Sequence, residues 1–153
     1  MEKIVSAKEM NNKLASARNG KTVVFTNGCF DMLHPGHITC LERACELGDL
    51  LIVGINSDDS VRRLKGPDRP VFNEYARARM VAALACVDGV IIYSEDSPVN
   101  LIKQIKPDIH VKGSDYLEKP MPEREVVKAY GGEVVLIELD GEWSTSGLLK
   151  RMR

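Results

Sequence analysis

The sequence has little that would point to a membrane protein or a nucleic-acid-binding protein. No apolar run approaches the roughly 18 residues that a membrane-spanning helix needs. Its 21 Lys and Arg residues nearly balance 22 Asp and Glu residues, and the net charge of -1 gives no overall field that would attract nucleic acid. The segment 1–12 is polar and mixed in charge, which is not typical of a signal peptide. We therefore expect a cytoplasmic protein that has neither a nucleic-acid nor a membrane partner.

Cysteine patterns that build disulfide frameworks or zinc sites are also missing. The four cysteines are Cys29, Cys40, Cys45 and Cys86. They form no C-x-x-C pair and share no zinc-ligand spacing with the three histidines. We expect free thiols in a reducing compartment and no protein-held metal.

What is present is a soluble-protein composition with an alternating β and α pattern. With 44% hydrophobic and 28% charged residues, we expect one domain over 1–153, with an N-terminal helix in 1–20 and a catalytic core in 21–153. Short apolar runs bounded by turn residues predict five strands, at 21–26, 50–55, 89–93, 108–111 and 133–139. Capping signals and helical spacing predict helices from Ser6 to near 19–20, over 37–47 and 74–86, from 97–98 to about 105, over 122–130 and over 146–152. This order predicts a Rossmann-like, doubly wound α/β fold: a five-stranded, mainly parallel sheet with helices on both faces.

The first predicted strand runs into a turn that has the parts of an anion site. In open α/β sheets the ligand lies beyond the carboxyl ends of the strands. Here the strand is followed by a glycine-containing turn and a helix start, whose free N–H groups favour an anion. His34 and His37 are three residues apart, so both imidazoles can face one polyphosphate, and Gly36 adds no side chain between them. The alternative is that one histidine caps the helix and the other lies on the surface.

The segment 26–37, T-N-G-C-F-D-x-x-H-x-G-H, resembles the signature of the cytidylyltransferase-like nucleotidyltransferases. The resemblance extends to the C-terminus and is greatest to the D-glycero-D-manno-heptose 1-phosphate adenylyltransferases. Those enzymes occur alone or as the second half of a kinase–adenylyltransferase fusion. The segments that carry this likeness are 61–67 (V-R-R-L-K-G-P), 69–70 (R-P), 74–77 (E-x-x-R), 95–98 (E-D-S-P), 112–116 (K-G-S-D-Y) and 144–146 (S-T-S).

The resemblance implies transfer of AMP from ATP to D-glycero-D-manno-heptose 1-phosphate. The products would be ADP-heptose, used for lipopolysaccharide or another surface glycan, and pyrophosphate. A phosphate oxygen is already anionic at neutral pH, so the reaction needs positioning and charge cancellation rather than a general base. We expect ATP as a substrate with Mg²⁺, a sugar 1-phosphate as the second small molecule, and a homo-oligomer with a dimer favoured.

Site residues are assigned by the same resemblance. The catalytic residues are His34, His37 and Lys65. The nucleotide-binding residues are Asn27, Gly28, Cys29, Phe30, Gly36, Arg77, Ser144, Thr145 and Ser146. The substrate-binding residues are Asp31, Lys112, Gly113 and Asp115.

Several alternatives stay open at this point. Residues 61–80 carry six basic and two acidic side chains, and this charge indicates either an anion site or a solvated helix face. Asp58 is expected to cap a helix, with a ribose contact as the alternative. Ser144 is expected both to cap the last helix and to bind phosphate, and Trp143 to pack in the core or cover a nucleotide. The stretches 65–73 and 114–122 are expected to be mobile loops over the site. The alternative functions are a cytidylyltransferase acting on glycerol phosphate or another polyol or sugar phosphate, and a non-catalytic nucleotide-binding module.

Overall fold

A computed structural model describes residues 2–114, 119–139 and 141–153. The strands are β1 (Val23–Gly28), β2 (Leu50–Asn56), β3 (Gly89–Tyr93), β4 (Ile109–Gly113) and β5 (Glu133–Ile137). The helices are α1 (Ala7–Ala17), α2 (Pro35–Cys45), α3 (Asp58–Lys65), α4 (Glu74–Ala82), α5 (Val99–Ile105), α6 (Pro122–Ala129) and α7 (Thr145–Arg151). Within these described ranges no helix is long and apolar enough to cross a membrane.

The five strands form one parallel sheet in the order β3-β2-β1-β4-β5. The chain moves outward from β1 to β3 and then returns to the other side of β1 with β4. The order therefore reverses between β1 and β4, and the carboxyl ends of these two strands form the crevice where ligands bind in such sheets. The predicted doubly wound α/β fold is confirmed.

Both faces of the sheet are covered, which explains why the strands read as continuous apolar runs. On one face, Leu41 and Ala44 of α2 and Val81 of α4 pack on the sheet. On the other face, helices α1, α5 and α6 cover it through residues that include Leu14 and Ile102. The histidine-bearing helix α2 and the pair α5 and α6 thus reach the crevice from opposite faces of the sheet.

Helix α3 is the main element that sequence patterns did not predict. It contributes only Ser60 and Val61 to the interior, so it lacks a recognisable apolar stripe. Its cap is Ser57, whose hydroxyl accepts a hydrogen bond from the Ser60 N–H. The expectation that Asp58 caps the helix was wrong, because Asp58 is the first helical residue and pairs with Arg77 instead.

Candidate active site

A cleft of about 640 Å³ opens at the carboxyl edge of the sheet, beside β1 and β4. The lining includes nearly all of the residues that the sequence singled out. These are Asn27, Gly28, Cys29, Phe30, Asp31, His34, Gly36, His37, Lys65, Lys112, Gly113, Ser144, Thr145 and Ser146. Arg77 is absent from this lining, and Asp115 lies outside the described residues.

The two histidines stack at the start of α2. Their ring centroids are 3.7 Å apart with an angle of 22° between the ring planes. His34 occupies the N-cap position and is buried, and its backbone N–H donates to Nδ1 of His37 over 3.3 Å. This bond fixes the ring of His37 and leaves its other nitrogen, Nε2, to carry the proton of the neutral imidazole.

Both imidazoles are neutral at physiological pH. Burial and, to a smaller extent, the neighbouring His34 lower the pKa of His37 to about 4, although Asp31 opposes the shift. Burial also lowers the pKa of His34. The pair can therefore donate N–H groups to phosphate oxygens, and neither imidazole changes its protonation state near pH 6.5.

Gly36 is required where helix α2 begins. A Cβ built at this position would lie 2.9 Å from Cε1 of His34 and 3.3 Å from Cβ of Trp143. Any larger residue would push the imidazole or the indole away. Trp143 also lines the cleft, where it packs beside the first turn of α2.

Lys112 brings a buried cation to the end of β4. Its side chain is nine-tenths buried, and its ammonium donates to the Asn27 carbonyl over 3.0 Å. The Asn27 amide donates in turn to the Tyr93 hydroxyl, while its own Oδ1 atom is buried without a hydrogen-bond partner in the described structure. These contacts link β1, β3 and β4 at the floor of the cleft.

The 144–146 segment closes the cleft from the C-terminal helix. Ser144 caps α7, as expected, by accepting the Gly147 N–H over 3.0 Å. The Thr145 hydroxyl donates to the backbone carbonyl of Asp31 over 2.7 Å. This bond ties the start of α7 to the turn after β1, and both line the cleft.

Arg77 does not line the cleft in the described structure, and its expected contact with a nucleotide stays a prediction. The guanidinium is fully buried and donates to the carbonyls of Cys29, Asn56 and Phe72 at 2.7 to 2.9 Å. It also donates to the Asp58 carboxylate over 2.8 Å. Because these donors are occupied, Arg77 stabilises the turn after β1 from the side opposite to the cleft.

The Asp31 side chain is also occupied by contacts within the protein, and its expected role in binding the substrate stays a prediction. Its carboxylate accepts from Nε of Arg69 and from the backbone N–H groups of Val71 and Phe72 at 2.8 to 3.1 Å. Burial alone would raise the pKa of Asp31, but these hydrogen bonds and the Arg69 charge outweigh it and lower the pKa. Asp31 therefore anchors the segment 69–72, which was expected to be a mobile loop.

The fold places the basic side chains of residues 61–80 in different surroundings. Lys65, the last residue of α3, is exposed and lines the cleft. Arg62 pairs with Asp59 on the surface, as expected of a solvated side chain. Arg63 pairs with Asp96 over 2.9 Å. Of the basic residues in this stretch, only Lys65 and Arg69 line the cleft of the described structure.

Glu123 is one of the cleft residues that were not predicted as site residues. Glu123, in the first turn of α6, is buried and lines the cleft beside Pro122. The signal that could have found it is spacing, because Glu123 lies four residues before the buried Val127 and shares its helix face.

The strand order, the crevice at its reversal point and the stacked histidines define a Rossmann-like nucleotide-binding domain of the nucleotidyltransferase type. Residues 25–143 match the sequence profile of the cytidylyltransferase-like family, so the chain belongs to that family.

Curated relatives include the "Bifunctional protein HldE" of Syntrophotalea carbinolica, 52% identical over 135 residues, or 88% of this chain and 28% of the relative. The protein of the same name from Helicobacter pylori is 48% identical over 136 residues, with 89% and 28% covered. The chain thus spans 28% of the length of these relatives.

Solved structures show the same fold. A lipopolysaccharide core biosynthesis protein from Thermoplasma volcanium is 31% identical, with a TM-score of 0.64 over 79% of this chain and 98% of that one. A pantoate-beta-alanine ligase from Francisella tularensis is 16% identical, with a TM-score of 0.66 over 96% of this chain and 70% of that one. At this identity the second likeness concerns the fold alone.

Proposed function

We propose that the chain is an adenylyltransferase that transfers AMP from ATP to D-glycero-D-manno-heptose 1-phosphate, giving ADP-heptose and pyrophosphate. The observation that carries the proposal is the stacked pair of neutral imidazoles, His34 and His37, at a cleft large enough for a nucleotide. The relatives support the choice of reaction, since a match to 28% of a bifunctional protein fits one of its two activities. The likeness to the lipopolysaccharide core biosynthesis protein of Thermoplasma volcanium supports a role in making that core.

The reaction requires little from the protein beyond the positioning of its two substrates. An oxygen of the sugar 1-phosphate attacks the α-phosphorus of ATP, and the bond from that phosphorus to the bridging oxygen of the β-phosphate breaks. Pyrophosphate leaves with the electron pair of that bond. The nucleophile is already anionic, so no side chain has to remove a proton.

The residues of the cleft divide between the two substrates. His34 and His37 would donate N–H groups to the triphosphate, and the exposed ammonium of Lys65 would neutralise charge that develops on pyrophosphate. Lys112 would hold the phosphate of the sugar. The hydroxyls of Ser144 and Ser146 line the same cleft and would add donors to the triphosphate, whereas the Thr145 proton is already donated to the Asp31 carbonyl.

Mg²⁺ would supply further charge neutralisation on the polyphosphate. Among the described residues no group of three or more His, Cys, Asp and Glu side chains could hold a metal ion. Of the three cleft carboxylates in the described structure, those of Asp31 and Asp96 are already paired with arginines, which leaves Glu123 alone. We therefore propose that the ion enters with ATP. We also propose that the chain works as one catalytic unit, in the cytoplasm, as a homodimer.

The test is a matrix of ATP, CTP and GTP against heptose 1-phosphate, mannose 1-phosphate and glycerol 3-phosphate, read by pyrophosphate release. We expect turnover with ATP and heptose 1-phosphate to exceed every other pair. Preference for CTP with glycerol phosphate would establish the alternative cytidylyltransferase. Nucleotide binding without pyrophosphate release from any pair would establish a non-catalytic module.

A further inference from the structure

Glu123 places a carboxylate without a partner in the wall of the cleft. Its side chain is nine-tenths buried, yet it makes no hydrogen bond or ion pair within the described residues. In contrast, Glu125 in the same helical turn is exposed. The favourable interaction of an acidic residue with a helix N-terminus therefore does not require the burial of Glu123.

The position of Glu123 in the fold indicates which substrate it meets. Helix α6 covers the sheet face opposite to α2, the helix that carries His34 and His37. In an in-line displacement the nucleophile approaches the phosphorus from the side opposite to the leaving group. If the histidines on the α2 side hold the departing phosphates, the acceptor approaches from the side of α5 and α6. The wall that contains Glu123 therefore faces the acceptor.

The chemistry of this wall favours hydroxyl groups. A carboxylate repels a phosphate but accepts hydrogen bonds from hydroxyls. The Lys112 ammonium lies at the same edge and suits the phosphate. We propose that Glu123 binds hydroxyl groups of the acceptor sugar and so determines which sugar 1-phosphate is used. This inference rests on the proposed adenylyltransferase function.

The experiment compares Glu123→Gln with Glu125→Gln. Both variants remove one negative charge from the first turn of α6, but only the first changes the cleft. Because hydrogen bonds to charged groups contribute about 1.5–3 kcal/mol, we expect Glu123→Gln to raise the KM for heptose 1-phosphate about tenfold to a hundredfold. The KM for ATP should stay within twofold. Glu125→Gln should match the parent protein in both constants.

A second measurement identifies the interacting hydroxyl. The parent protein and Glu123→Gln are compared with sugar 1-phosphates that each lack one hydroxyl. The parent protein should prefer the complete sugar over the deoxy sugar that lacks the hydroxyl bound by Glu123. In Glu123→Gln this preference should be smaller by about tenfold or more. Equal losses for every deoxy sugar in both proteins would overturn the inference.

Calorimetric binding separates this inference from the proposed reaction. Heptose 1-phosphate is titrated into each protein in the presence of Mg²⁺ and a non-hydrolysable ATP analogue. Binding that weakens in Glu123→Gln supports the inference even if the parent protein releases no pyrophosphate, a result that would refute only the proposed reaction. Equal binding by both proteins, no binding by either, or a change confined to the Mg²⁺ requirement would overturn it.

Discussion

The guanidinium of Arg77 and the carboxylate of Asp58 form an ion pair of 2.8 Å behind the turn that follows β1. Arg77 is fully buried, whereas the Asp58 side chain is 23% exposed. Through its remaining donors Arg77 also holds the backbone of Cys29 and Asn56, which connects the ends of β1 and β2. The cost of disturbing this pair should therefore exceed that of a surface ion pair.

Replacing Asp58 with Asn tests this relationship. We expect the free energy of unfolding to fall by about 1–3 kcal/mol, because a charge-assisted hydrogen bond to a buried guanidinium is weakened. The neighbouring Asp59→Asn is the matched control, since Asp59 pairs with Arg62 at the surface, and its effect should stay within about 0.5 kcal/mol. Denaturant unfolding measures both. Equal effects would show that Arg77 does not depend on Asp58.

The histidine pair should be essential for turnover but not for folding. We expect His34→Ala and His37→Ala each to lower kcat by about 10²–10³, because each loses a donor to the triphosphate. His37→Ala should also lose about 1 kcal/mol of stability, since the His34 N–H then lacks its acceptor. Pyrophosphate release and thermal unfolding measure the two effects. A His34→Ala enzyme with the parent kcat would contradict the assigned role.

Lys65 and Arg62 lie on the same helix and provide a matched pair. Lys65→Ala should lower kcat/KM for ATP about tenfold to a hundredfold, because the cleft loses an exposed ammonium that would pair with phosphate. Arg62→Ala removes the same charge from the surface and should stay within about twofold. Steady-state kinetics at fixed ionic strength makes the comparison. Similar losses in both variants would indicate that the overall positive charge of the helix, rather than a direct contact between Lys65 and phosphate, determines kcat/KM for ATP.

His110 should make stability depend on pH. It is fully buried with its ring stacked on Phe25, and its pKa is lowered to about 3, mainly by burial and further by the Lys112 charge. Between the folded pKa and the ordinary value near 6.5, the unfolded chain binds a proton that the folded chain excludes. Stability should therefore fall as the pH drops from about 6.5 toward 4.

The variant His110→Leu isolates this contribution. It should reduce the slope of unfolding free energy against pH by up to about 1.4 kcal/mol per pH unit, relative to the parent protein. Chemical denaturation at several pH values between 4 and 7 gives the slope. The pKa of His37, lowered to about 4, should leave a residual slope in the variant. Identical slopes in the two proteins would show that His110 takes up its proton in the folded state.

Local sequence determined the fold because its signals are strong wherever strands are buried on both faces. The run 89–93 coincides with β3, and the Ser6 capping box at the start of α1 is present with both of its hydrogen bonds. Even for these elements, the neighbouring strand determines where a strand ends. The predicted last strand extends to 139, but β5 ends at Ile137, which pairs with Gly113, the last residue of β4. The turn with the two histidines could also be predicted from the sequence, because its residues are contiguous along the chain.

Only the tertiary structure decided which charged side chains face the ligand cleft. Arg77 and Asp31 carry the charges expected of ligand contacts, yet residues distant in sequence occupy their hydrogen-bonding groups. Glu123 and Glu125 are chemically identical and two residues apart, but α6 buries one in the cleft and leaves the other in water. Sequence sets the charge that a residue carries. Its electrostatic role depends on the atoms that packing brings within hydrogen-bond distance, and those come from the whole chain.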